Sequence, residues 1–241
     1  MPALRNAGLY INLLNDFLDL FYPRVCISCN TALMKNEQFI CYTCQYHLPK
    51  ANFHKNLEDS IIRKKLLGRV PVFGSAAYYL FSKKTGVQNI LHHIKYKQGK
   101  ELANKIGYWM GEELLQTDWF KTIDGLIPIP LHPQKQLERG YNQSEEYCKG
   151  IQKTTDKSIL PILSKNIYTK TQTKKKRYER WENVKDNFIL NSDISTLQHI
   201  ALVDDVMTTG ATFEAAHNTL ISNGYRGKIS IITIAIATHL I

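Results

Sequence analysis

The stretch Ile200-Ala-Leu-Val-Asp-Asp-Val-Met-Thr-Thr-Gly-Ala-Thr212 decides how the rest of the chain is read. Its four apolar residues, Ile200 to Val203, leave no wet face, as expected of a central strand in a parallel sheet. Asp204 and Asp205 end that strand with two carboxylates. After Met207, Thr208-Thr209-Gly210-Ala211-Thr212 opens a helical pattern through Phe213, Ala216 and Leu220, which closes at Asn223-Gly224, a pair suited to a left-handed cap. Amides of a first helical turn lack intrahelical partners, the helix dipole favours negative charge, and Gly210 admits close backbone approach. With the Thr208, Thr209 and Thr212 hydroxyls as further donors, the turn reads as a phosphate cradle. The two acids repel phosphate, but ionised carboxylates accept from vicinal hydroxyls or hold a divalent cation such as Mg²⁺. Phosphate, diol and cation together point to a phosphorylated sugar. Asp and Thr are also ordinary helix caps; the fixed order of strand, acid pair and Thr-Thr-Gly-x-Thr is what favours a site.

Outward from this stretch, Lys228 to Ala237 is a β-branched strand, so strand, helix and strand make a βαβ unit with a right-handed crossover. Upstream, Val72 to Phe81 reads as a strand. A helix with Val87, Ile90, Leu91 and Ile94 follows, ended by Lys95-Tyr96-Lys97-Gln98-Gly99, and a second runs from Leu102 to Leu114. Lys95 and Lys97 suit either phosphates or the dipole of a final helical turn. Ile123 to Ile129 is a strand entering Pro130-Leu131-His132-Pro133, where Pro128, Pro130 and Pro133 fix a rigid turn. Arg139-Gly-Tyr-Asn-Gln-Ser144 leads into a helix expected to open at Glu145, capped by Asn142 or Ser144. Arg139 can grip a phosphate bidentately, and Tyr141 offers a stacking face. Ile159 to Leu163 is a further short strand, and Cys148 is expected to be buried. The expected class is α/β, a parallel sheet flanked by helices.

The N-terminal part differs in kind. Leu4 to Phe21 is an amphipathic helix, followed by Cys26-Ile-Ser-Cys29 and, eleven residues on, Cys41-Tyr-Thr-Cys44. Two CxxC pairs so spaced bring four thiolates to the corners of a tetrahedron around Zn²⁺. Disulfides and redox chemistry are the competing uses. No apolar run is long enough to span a membrane, and Asn12, Asn15, Asp16 and Asp19 do not belong in a secretory leader, so the chain reads as cytoplasmic, where thiols stay reduced. The zinc is then structural and folds a segment too short to bury its own core. The division read from the sequence is a helix and zinc module over 1–54, a linker over 55–71 and the main domain over 72–241.

Of 241 residues, 44% are hydrophobic, ample for a core, and 31 Lys and Arg against 21 Asp and Glu leave +10. Such an excess suits polyanions and phosphorylated ligands, or simply solubility. Residues 165 to 185 supply +6 of it, with Lys174, Lys175, Lys176, Arg177 and Arg180 interleaved with Tyr178 and Trp181. Cations with aromatics suit the backbone and stacked bases of single-stranded DNA; a solvated loop has the same composition.

The stretch 200–212 resembles the phosphoribosyl pyrophosphate (PRPP) motif of type I phosphoribosyltransferases. The chain as a whole resembles the ComF family of competence proteins. That likeness is carried by Asp19-Leu-Phe-Tyr-Pro23, both CxxC pairs, Lys95-Tyr96-Lys97-x-Gly99, Pro128-Ile-Pro-Leu-His132, Arg139-Gly-Tyr-Asn-Gln143, Gln172, Arg180-x-x-Asn183 with Phe188, and the PRPP motif. It spans roughly residues 15 to 237; Lys174 to Arg177 are more basic than the family's loop. The resemblance implies a type I phosphoribosyltransferase fold behind a four-cysteine zinc element. It places the ribose hydroxyls on Asp204 and Asp205, the 5-phosphate on Thr208 to Thr212, and pyrophosphate at Leu131 and His132, with a flexible loop closing over PRPP near 165–185. It implies a part in natural transformation, handling incoming single-stranded DNA with the uptake machinery. Three functions stay open: a PRPP-binding protein of DNA uptake, with or without transferase activity; a nucleobase phosphoribosyltransferase of salvage; and a non-enzymatic module for single-stranded DNA. Acceptor and oligomeric state are not encoded in any motif.

Overall fold

The alternation Ile200, Leu202 against Ala201, Val203 is dry on both sides in the structure, a computed structural model that describes residues 23–96, 99–165 and 188–238. Seven strands are present among the described residues: β1 (Val72–Phe81), β2 (Gly125–Pro128), β3 (Ser158–Ile159), β4 (Leu163–Lys165), β5 (Phe188–Leu190), β6 (His199–Met207) and β7 (Lys228–Ala237). Five form one sheet in the order β1-β7-β6-β2-β3, every neighbouring pair parallel. β4 and β5 make a separate antiparallel pair. The helices are α1 (Tyr42–His47), α2 (Ile61–Leu66), α3 (Gly86–Tyr96), α4 (Lys100–Leu114), α5 (Asp118–Lys121), α6 (Pro133–Arg139), α7 (Gln143–Thr155) and α8 (Ala211–Ser222).

Two apolar clusters sandwich the sheet. Ala201 and Val203 join Ile90 and Ile94 of α3, Ile106 and Met110 of α4, and Tyr147 and Ile151 of α7. Ile200 and Leu202 join Ile62 and Leu66 of α2 and Phe213, Ala216 and Leu220 of α8. Burial on both faces is what a parallel sheet with crossover helices requires, and it seats β6 at its centre. The expected α/β architecture is therefore the one observed, with the βαβ unit β6-α8-β7 at its heart.

Three expectations are corrected. β6 does not end at the acids but runs to Met207, because β7 keeps pairing with it through Val206↔Ala235 and Met207↔Ile236. On its other side, β2 stops at Pro128↔Val203, so Asp204 and Asp205 emerge where one neighbour has ended. Helix α7 opens at Gln143 rather than Glu145, since the Asn142 side chain accepts from the Ser144 amide at 3.0 Å. Residues 55–71, read above as a linker, carry α2, whose Ile62 and Leu66 are fully buried. Their apolar spacing is helical, and the sheet face beneath needs a cover.

The cysteine segment is also tied in. Cys26, Ile40, Cys41 and Leu48 belong to the same buried cluster as Ala76 and Tyr79 of β1. The Ala51 amide donates to the Tyr78 carbonyl at 3.1 Å and the Leu80 amide to the Pro49 carbonyl at 2.8 Å, which covers the free edge of β1. The expected helix over 4–21, Lys97 and the basic segment 174–181 lie outside the described residues.

Candidate functional site

The carboxylates stand at the C-terminal end of β6, where ligands collect in open α/β sheets. Asp204 Oδ1 accepts from the Ser144 hydroxyl at 2.9 Å and from the Asp205 amide at 2.8 Å. Burial first, and Asp205 second, push the Asp204 carboxyl up to about 7; the two hydrogen bonds and Lys95 oppose them. Asp205 Oδ2 lies 3.3 Å from Lys95 Nζ, at the end of α3, with the Asp205 side chain only 13% exposed. An acid pair at the end of a dry strand is thus held by one hydroxyl and one ammonium.

The turn follows directly. Gly210 has φ of +86°, and a Cβ there would come within 2.7 Å of Leu66 Cδ2 and 2.8 Å of Met207 Cε, so only glycine fits this approach. The amides of Thr208, Thr209 and Gly210 make no hydrogen bond to another backbone group among the described residues. Thr208 and Thr209 are exposed, and the Thr209 hydroxyl accepts from the Ala211 amide at 3.4 Å. Met207 is buried beneath the turn, and Ala211 and Thr212 start α8. Behind the turn, Lys65 Nζ donates to the Thr208 carbonyl at 2.9 Å, and Arg69 donates through Nη2 to the Thr209 carbonyl and through Nη1 to Glu214 Oε2, each at 2.8 Å.

The proline-braced turn lies beside the acids. Asn142 Nδ2 closes it on the Ile129 carbonyl at 3.0 Å, and the Tyr141 hydroxyl ties it to the Ile94 carbonyl on α3. Leu131 and His132 are half-buried; His132 caps α6, its Nδ1 accepting from the Gln134 amide at 3.3 Å. Arg139 donates to Gln143 Oε1 at 2.9 Å and lies 5.7 Å from the Tyr96 ring. The geometry thus brings Lys95 onto the acid pair, while Arg139 is engaged within its own turn.

Sequence reasoning missed Lys65 and Arg69, and weighed Ser144 only as a cap. The pattern Ile61, Ile62, Leu66 signals a short amphipathic helix that carries Lys65, with Arg69 just beyond its end. Nothing in the sequence pairs Ser144 with Asp204.

The four cysteines converge. Their Sγ atoms all lie within 4.8 Å of one another, and those of Cys29 and Cys41 are 3.8 Å apart. Zinc–sulfur bonds of about 2.3 Å in a tetrahedron give an edge of about 3.8 Å. The Cys41 amide donates to Cys26 Sγ at 3.3 Å and the Cys44 amide to Cys41 Sγ at 3.4 Å. All four thiols are free of disulfides, and the set fits a structural metal such as zinc. Next to this segment, a cleft of about 950 Å³ gathers Arg24, Lys100, Lys105 and Lys153 with Phe39 and Tyr108, alongside Glu101 and Glu146. None of the acid-pair or turn residues lines it.

An all-parallel α/β sheet carrying an acid pair and a glycine turn at its C-terminal edge, with a four-cysteine cluster seated against one side, defines the class of protein. No family model matches the chain. It is 23% identical to Competence protein ComFC of Bacillus subtilis (strain 168) over 219 residues, which is 88% of this chain and 83% of that protein. It is 33% identical to Competence protein F of Haemophilus influenzae over 100 residues, 40% of this chain and 44% of that protein. It is 27% identical to DNA utilization protein YhgH of Escherichia coli O157:H7 over 139 residues, 56% of this chain. The match spans 61% of that last protein's length. The chain is a homologue of the ComF-family competence proteins. Among the described residues no helix is long and apolar enough to cross a membrane.

Proposed function

We propose that the chain binds Mg·PRPP at the C-terminal edge of β6 and acts in the uptake and handling of single-stranded DNA. The observation that carries the first half is the juxtaposition of two carboxylates with a turn of three amides lacking backbone partners. The carboxylates accept from the ribose 2′- and 3′-hydroxyls, and the amides and threonine hydroxyls of 208–212 donate to the 5-phosphate. Pyrophosphate, arriving with its Mg²⁺, falls to the turn at Leu131 and His132 and to Lys95, which is released from Asp205 when the diol enters. The four cysteines hold zinc.

The second half rests on the names of the relatives and on two basic, aromatic features: the cleft with Phe39 and Tyr108, and Lys174 to Trp181 in sequence. Cations beside rings suit phosphates and stacked bases.

Titration of Mg·PRPP into the wild type and an Asp204→Ala/Asp205→Ala double variant tests the site. Binding by the wild type and loss in the variant is expected; equal binding sinks the assignment. For DNA, affinity for a single-stranded oligonucleotide should fall steeply with salt and weaken when Lys174 to Arg177 are neutralised. A salt-independent affinity counts against this half.

A further inference from the structure

The turn at 208–210 is held from behind by a segment that no motif marked. Ile62 and Leu66 anchor α2 in the core, and Gly68, with φ of +76°, then reverses the chain so that the Arg69 and Val70 amides both return to the Leu66 carbonyl, at 2.9 and 3.0 Å. This reversal delivers Arg69 to the same place as Lys65. Arg69 donates to the carbonyls of Lys65 and Thr209, while Glu214, in the first turn of α8, fixes its other nitrogen at 2.8 Å. Lys65 takes the Thr208 carbonyl at 2.9 Å.

In a trans peptide the carbonyl of one residue and the amide N–H of the next point in opposite directions. No cis peptide occurs among the described residues. A Thr208 carbonyl turned to Lys65 therefore turns the Thr209 N–H away from Lys65, and a Thr209 carbonyl turned to Arg69 does the same for Gly210. Either peptide, if flipped, would present an oxygen where the cradle needs a donor, and the anion would be repelled.

We infer that Lys65 and Arg69 are positioning residues for the anion-binding turn, aiming the Thr209 and Gly210 amides at the ligand's phosphate without touching it. This rests on the reading of the turn as the 5-phosphate site. Arg69 acts here as a hydrogen-bond donor, which separates it from a cation that merely adds attraction.

The test is calorimetric titration of ribose 5-phosphate into the whole chain and its Arg69→Met variant at low and at high salt, with melting curves to confirm that both are folded. Loss of a charged hydrogen bond predicts binding about tenfold weaker for Arg69→Met. A hydrogen bond that fixes a peptide outlasts screening and attraction by an exposed charge does not, so the deficit of Arg69→Met should persist as salt is raised. Arg69→Met binding like the wild type, or a deficit that vanishes at high salt, overturns the inference; the second outcome marks Arg69 as a source of charge alone. Lys65→Met should weaken binding in the same way, and an unchanged affinity there removes Lys65 from the assignment. A wild type that does not bind ribose 5-phosphate sinks the site assignment itself, and this inference with it.

Discussion

The Ser144 hydroxyl donates to Asp204 Oδ1 at 2.9 Å, joining the first turn of α7 to the end of β6. The same oxygen takes the Asp205 amide at 2.8 Å, which leaves Oδ2 without a hydrogen-bond partner among the described residues. Ser144 thereby sets which edge of the carboxylate is presented to a ligand. Ser144→Ala frees the carboxylate to rotate and removes one charged hydrogen bond. Mg·PRPP binding, followed by calorimetry, should weaken about tenfold, while melting stays close to wild type because the Asn142 cap keeps α7 in place.

Asp204 also makes stability depend on pH. Its carboxyl is raised from the ordinary 3.8 to about 7, burial being the larger cause and Asp205 the second. The folded chain thus keeps a proton that the unfolded chain releases. This contribution is fully present below the unfolded value and is lost as pH rises through about 7. Asp204→Asn removes the titration. The stability of the wild type relative to this variant should therefore fall between about pH 4 and about pH 7 and level off above, as read by denaturant unfolding. A flat difference across that window would place the proton elsewhere.

How much of this was legible follows from the reach of each interaction. Strand β6, the turn and α8 are adjacent in sequence and carry their periodicity openly. The two CxxC pairs declare their ligand set by spacing alone. By contrast, Lys65 lies 143 residues from the Thr208 carbonyl it caps, and Ser144 lies 60 from Asp204. Such pairs exist only once the sheet has assembled, and a lysine or serine reads the same whether it has a distant partner or none. The linker reading failed for a related reason. Arg63, Lys64, Lys65 and Arg69 mask the apolar spacing of Ile62 and Leu66, and the sheet face that buries those two is built from residues far along the chain.

Gly210 tests the close packing of α2 on the turn. Alanine there meets a positive φ and the side chains of Leu66 and Met207 at 2.7 and 2.8 Å, so these side chains or the turn must move. Gly210→Ala should cost about 1–3 kcal/mol of stability by denaturant unfolding. It should also abolish measurable ribose 5-phosphate binding. Pairing it with Leu66→Ala relieves the contact with Leu66 but neither the one with Met207 Cε nor the strained φ. If the double variant regains binding, the Leu66 contact dominated; if it does not, Met207 and the backbone conformation did.

The four-cysteine cluster should matter beyond its own segment, because Cys26 and Cys41 are buried in the cluster that also holds Ala76 and Tyr79 of the sheet's edge strand. A thiolate set stripped of its metal leaves like charges crowded within 4.8 Å, and the fold relieves them by opening the segment or by protonation. Elemental analysis of the purified chain should find about one zinc per chain. Treatment with a chelator should lower the melting temperature of the whole protein by about 10 °C, the shift that loss of about 3 kcal/mol produces in a domain of this size. Cys44→Ser should lose the metal and melt at the same lowered temperature, with no further response to chelator. A chelator-insensitive melt in the wild type would sink the zinc assignment. A separate low-temperature transition would instead show that the segment unfolds without the sheet.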